Sequence, residues 1–352
     1  MTPLPPGSSA PAEFVDSAFR RFGQAAARAG GARDRYVCIG EQRARLSFAG
    51  SLMENLMFPA MAHLEVAPGE ADLVACFFDS ESTATPMPPP PWGRQDFTEH
   101  GEIAGYNDGH VHVTYGPGVD ILNSLDVERG LAVYWAPTWR AIPYWERSFP
   151  LRPILNWWLK NRPFQPIHAG AVGYPDGGVL VVGESGSGKS TVALACLDSD
   201  LGYAGDDYVL VRTEPEPWVY SLYNTAKLEP DNLARFPSLR PHLDNADALG
   251  TEKALVFLHR ARPEKISRGF PIRAILCPRV TGRPDTVCRP ARAQDAFLAI
   301  APTTTMHLAG ARRQTLEKLF RLAKSVPSYV LESGTDIPQI PRAISRLLAE
   351  LH

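Results

Sequence analysis

Residues 183–191, Gly-Glu-Ser-Gly-Ser-Gly-Lys-Ser-Thr, carry the densest chemistry in the chain. They match a glycine, four residues, then Gly-Lys-Ser, with Gly183, Gly188, Lys189 and Ser190 in the defining places. Small residues let a backbone wrap tightly, so that successive N–H groups face one anion. Lys189 would neutralise β- and γ-phosphate charge, and the Ser190 hydroxyl suits Mg2+, a hard cation that prefers oxygen. Gly183, Glu184, Ser185, Gly186, Ser187, Gly188, Lys189, Ser190 and Thr191 are therefore candidate nucleotide contacts. Asp206 and Asp207 follow twenty-three and twenty-four positions after Gly183. Phosphoryl transfer needs alignment and charge stabilisation more than covalent help. Asp206 is assigned to orient an attacking hydroxyl and take its proton, and Asp207 to hold Mg2+ directly or through water, the two roles being exchangeable.

These residues need a strand before the loop and a helix after it. Val179–Val182 reads as a buried strand and 189–198 as a helix, so both are expected. Most phosphate-loop NTPases put their second acid at the end of a buried strand, after its apolar residues. Here the order is reversed, with the Asp pair preceding the run Tyr208-Val209-Leu210-Val211. No LSGGQ-like signature and no NKxD motif accompany it.

Three stretches together, Ile167–Val172, Val179–Thr191 and Leu201–Val211, resemble the catalytic domain of HPr kinase/phosphorylase. The resemblance covers roughly 164–350 and implies a phosphoenolpyruvate-carboxykinase-like α/β fold. It implies ATP and Mg2+ as cofactors, transfer to a protein serine, and assembly into homo-oligomers. That family places a His about fifteen residues before the first loop glycine, which is the position of His168. His168 would then share a proton with Asp206 or touch the transferred phosphoryl group. Lys227 would stabilise that group, as a mobile cation does in related kinases. The family's signature after the Asp pair, rich in Arg and Gly with an acidic metal ligand, is replaced here by 219–230, which offers Asn224 and Lys227. That points away from HPr itself and toward the related kinases of biosynthetic gene clusters, some of which phosphorylate a precursor peptide. The expected activity is an ATP-dependent kinase acting on a serine of a peptide or protein. A small-molecule kinase and a nucleotide-dependent regulatory module without transfer stand as alternatives. Asn224 is a candidate contact for Mg2+ or the acceptor, Lys253 could close over the nucleotide, and the basic run 259–269 could guide an acidic peptide.

The remainder of the chain frames this part. At 352 residues it is long enough for two domains, expected as an α+β domain over 1–148 that could recognise the acceptor and a catalytic domain over 149–352. Residues 1–12 read as disordered, 13–30 as a helix stopped by Gly30 and Gly31, and 101–116 as a hairpin. His110 and His112 on that hairpin could pair on a metal, without an evident third ligand. The proline run at 86–91 reads as a stiff loop or a polyproline ligand, and Trp157 and Trp158 as packing anchors between the halves. A net charge of −2 gives no case for nucleic acid or an anionic membrane. Five scattered cysteines without metal spacing read as buried thiols of a reducing compartment. With no signal sequence and no spanning run, the cytoplasm is the expected location.

Overall fold

The stripe Val15, Ala18, Phe22, Ala25 and Ala26 repeats at three- and four-residue intervals and forms the buried side of the helix Ala10–Arg28. The helix ends where Gly30 and Gly31 take φ of 84° and 121°. There the Gly31 N–H donates to Ala26 O at 2.8 Å, the left-handed cap that glycine permits. Residues 10–12 are thus helical, where disorder was expected. This is a computed structural model that describes residues 10–98, 101–116, 119–307 and 312–351. The rest of the stretch expected to be disordered, 1–9, lies outside the described residues.

The chain is mixed α/β and divides into two units, Met1–Pro59 with Glu65–Trp158, and Ala60–Leu64 with Leu159–His352. The expected boundary at 148 had no place for the segment 60–64, which belongs to the second unit.

The first unit holds strands β1 (Ala32–Ile39), β2 (Gln42–Ala49), β3 (Leu73–Asp79), β4 (Glu102–Asn107), β5 (Val111–Gly116), β6 (Ile121–Asp126) and β7 (Leu131–Ala136). They form one sheet in the order β1-β2-β3-β7-β6-β5-β4. The helix Ala10–Arg28 covers one face, where Val15 and Phe22 meet Cys76, Phe78, Val133 and Trp135. The β4–β5 hairpin turns on Asp108, whose Oδ1 accepts from the N–H of His110 (2.9 Å) and of Val111 (2.8 Å). His110 and His112 do not converge. The exposed His110 pairs with Glu128, whereas buried His112 stacks on Trp157 with ring centroids 5.1 Å apart. The two imidazoles thus have separate partners. Pro88–Pro90 line a small apolar cleft with Phe14, Trp92 and Trp135, so the proline run packs within its own unit.

The second unit is built on β8 (Phe164–Ile167), β9 (Gly170–Tyr174), β10 (Gly177–Val181), β11 (Gly202–Gly205), β12 (Val209–Arg212), β13 (Trp218–Ser221), β16 (Gly269–Val280), β17 (Val287–Ala291) and β18 (Ser328–Ser333). Their order is β11-β9-β10-β16-β13-β12-β8, with β18 added parallel to β16 and β17 antiparallel to β18. A separate pair, β14 (Thr225–Leu228) and β15 (Ala254–Phe257), runs antiparallel. β10 is apolar on both sides because both are covered. Val179 and Val181 pack beneath the helices Lys189–Ala195 and Gln339–Glu350, while Leu180 and Val182 pack beneath Ala293–His307 and Arg312–Ser325.

Candidate active site

The loop after β10 is shaped by its glycines. Val182 still donates to Leu276 O at 2.9 Å, so the chain leaves the sheet only at Gly183. Gly183 has φ of 155°, and a Cβ there would come within 2.6 Å of Ser187 Oγ. Gly186 and Gly188 have φ of 81° and 103°, conformations costly to other residues. Gly188 leads into the helix Lys189–Ala195, followed by a tight turn over Cys196–Asp198. Lys189 is buried and bends back over its own loop, donating to the carbonyls of Gly183 (2.9 Å) and Glu184 (3.0 Å). Burial lowers its pKa, while Asp207 and Asp206 act in the opposite direction. The Glu184 and Ser185 side chains face solvent. The Thr191 hydroxyl accepts from Asn232 Nδ2 at 3.3 Å.

The Asp pair sits between β11 and β12, in a turn as tight as a backbone makes. Tyr208 N–H donates to Asp206 O at 2.8 Å, and the residue between them, Asp207, has φ of 66°. A left-handed residue inside a three-residue turn is strained by about 1–3 kcal/mol, and Asp tolerates it better than most. The turn sends the two carboxylates into different surroundings. Asp206 is 1% exposed. Its Oδ1 accepts from the Asp207 N–H at 3.0 Å, and its Oδ2 has no hydrogen-bond partner among the described residues. Burial, then the neighbouring Asp207 charge, pushes its carboxyl up to about 7, against the pull of Ser190, Lys189 and Lys227. Burial also works against the Asp207 charge, but His168 and Lys227 outweigh it and hold that carboxyl well below its ordinary value. Lys227 Nζ is 2.9 Å from Asp207 Oδ2, and His168 Nε2 is 3.5 Å from Oδ1.

The positioning of these partners follows from the topology. His168 lies between β8 and β9, and its N–H donates to Thr304 Oγ1 at 3.2 Å. Lys227 extends from β14, which is tied to β11 by the Tyr203 hydroxyl donating to Thr225 O at 2.7 Å. Lys189, Ser190, Asp206, Asp207, His168 and Lys227 thus come together from four chain segments. Two other candidates do not join them. Lys253 pairs with Glu229 at 2.7 Å. Asn224 is fully buried and acts as a structural crossbar, donating to Ala60 O at 2.8 Å and accepting from the His259 N–H at 3.1 Å. Thr304 had no signal in the sequence, because its helix carries Pro302 and no clear apolar stripe.

The oxygen donors present suit a hard cation. Ser190 Oγ and the two carboxylates could hold Mg2+. Among the described residues no three His, Cys, Asp or Glu side chains converge on a cation site, so phosphate oxygens and water would complete the shell. No helix among the described residues is long and apolar enough to cross a membrane.

No family model matches the chain, and no curated protein matches it. Among solved structures, the HPr(Ser) kinase/phosphatase from Coxiella burnetii is similar over 53% of this chain and 98% of its own, at 11% identity and a TM-score of 0.31.

Proposed function

We propose that the second unit is an ATP-dependent kinase that transfers the γ-phosphoryl group to a hydroxyl, most simply a serine of a peptide or protein. One observation carries this reading: a buried carboxyl with an unpartnered oxygen, Asp206, stands with Lys189 and Ser190 of a glycine-shaped loop. A bare nucleotide switch needs the loop and a cation, but not a second buried carboxylate beside them. The sequence resemblance to HPr kinase/phosphorylase catalytic domains agrees with it.

In this reading the loop amides and Lys189 hold the nucleotide phosphates. Ser190 and Asp207 would hold Mg2+, which supplies charge neutralisation on the phosphate oxygens. Asp206 orients the acceptor hydroxyl and takes its proton as the acceptor oxygen bonds to the γ-phosphorus. The bond from that phosphorus to the bridging oxygen breaks, and ADP leaves with the electron pair. A late proton transfer makes a carboxylate sufficient. Asp207 keeps Lys227 and His168 beside the path of the transferred group.

The test is transfer of label from γ-32P-ATP with Mg2+ to a serine-containing peptide array and to free serine, with Asp206→Asn as control. Label on peptides that vanishes in the variant supports the reading. Label on free serine alone would move it to a small-molecule kinase. Nucleotide binding without any label would leave a regulatory module.

A further inference from the structure

At the far end of the helix that follows the phosphate loop lies a cleft of about 970 Å3, in the second unit. It opens beside the turn Cys196–Asp198 and the helix Gln339–Glu350. A second hollow of about 570 Å3 shares Tyr174 and Ser345 with it and continues past Leu348 and Ala349. Compact ligand pockets span roughly 300–1,000 Å3, and the shared Tyr174 and Ser345 set two spaces of that order side by side.

The charges in the cleft are of two kinds. Arg262 is already used, pairing with Asp198 at 2.9 Å and donating to Leu197 O at 2.8 Å. Lys265 donates to Ser199 O at 2.5 Å. Both close the carbonyl end of the helical turn, a common use of cations there. Arg235 and Arg342 are exposed, and among the described residues neither pairs with a carboxylate. Asp200 is the remaining acid in the cleft. The other hollow has Pro175, Leu348 and Ala349 in its wall, with Asp176 at its edge. The groove is therefore cationic at one end and largely aliphatic at the other.

We propose that this groove docks an extended, acidic segment of the phosphoryl acceptor, away from the serine that is modified. The inference rests on the kinase reading above. Arg342 and Ala349 are two turns apart on one helix, about 10 Å at 1.5 Å per residue. An extended chain covers that in about three residues. The segment thus carries carboxylates for Arg235 and Arg342, with an aliphatic side chain about three residues away. The helix Lys189–Ala195 and the turn after it span the way from loop to groove, about 15 Å, so docking and transfer engage separate parts of one chain.

The probe is a fluorescein-labelled octapeptide with three glutamates followed by two leucines, read by fluorescence anisotropy at low salt. Its partner carries lysines for the glutamates. The acidic peptide is expected to bind, the basic one not. Arg235→Glu with Arg342→Glu is expected to weaken binding about tenfold or more, as reversal of paired interface charges does. Both side chains are exposed, and a circular dichroism melt confirms that the double variant folds. Lys189→Ala is expected to keep the peptide affinity while losing nucleotide. No binding of the acidic peptide, equal binding of the basic one, unchanged affinity in the double variant, or displacement by sodium phosphate as readily as by unlabelled peptide would each overturn the proposal. Label transfer to serine by a protein that binds no acidic peptide would leave the kinase reading standing and remove this one. Arginine-dependent peptide binding by a protein that transfers no label would do the reverse.

Discussion

Asp206→Asn is expected to abolish phosphoryl transfer and to stabilise the nucleotide-free protein. An acid whose folded pKa is raised holds its proton more tightly in the native state than in the unfolded chain. Its contribution to stability is fully present below the unfolded value, 3.8, and is lost as pH rises through the folded value, about 7. The gap between those values corresponds to roughly 4 kcal/mol, an upper bound because the charge is shared with Asp207. Asparagine keeps the shape and removes the titration, so about 2 kcal/mol of that loss should be recovered at pH 8. For a unit of this size that is about 4–8 °C in Tm. The assay is thermal unfolding of wild type and variant without nucleotide or Mg2+ from pH 8 down to pH 4, the gap closing toward pH 4. Mg2+ and ATP should then raise the wild-type Tm more than that of the variant. A variant less stable than wild type at pH 8, or a gap independent of pH, would refute the electrostatic account of the site.

Gly183→Ala forces a Cβ to within 2.6 Å of Ser187 Oγ at φ of 155°. It should cost about 1–3 kcal/mol and weaken nucleotide binding at least tenfold, measured with a fluorescent ATP analogue. Lys227→Met removes the cation 2.9 Å from Asp207, so label transfer should fall about 100-fold while nucleotide affinity stays within a few-fold. His63 is buried against Ser221 (2.7 Å), and burial, with the His259 and Arg268 charges, holds its pKa down to about 3. Its contribution to stability is present above the unfolded value of 6.5 and is lost as pH falls toward 3. At pH 5 that loss is about 2 kcal/mol, which His63→Gln should abolish in a comparison of Tm across pH.

The two ends of the site differ in how far the sequence revealed them, and the reason is the range of the interactions. Strand, loop and helix around 179–195 are encoded locally: a run buried on both faces, glycines at left-handed positions, then a helical stripe. The Asp pair was visible as residue types, but the difference between its members was not. That difference comes from one backbone angle at Asp207, which sends one carboxylate into the interior and the other onto His168 and Lys227. Asn224 is a candidate ligand in the sequence because it stands in 219–230, where the resembled family carries its signature after the Asp pair. Side chains alternate, and contacts with Ala60 and His259 far along the chain make it part of the frame instead. In the basic run 259–269, Arg262 and Lys265 are taken by carbonyls of 197–199 and stand in the wall of the groove. The exposed cations near them, Arg235 and Arg342, come from segments with no basic run at all. Arg262 and Lys265 of the run thus shape the wall of the groove, while Arg235 and Arg342 are the charges it offers an acidic acceptor.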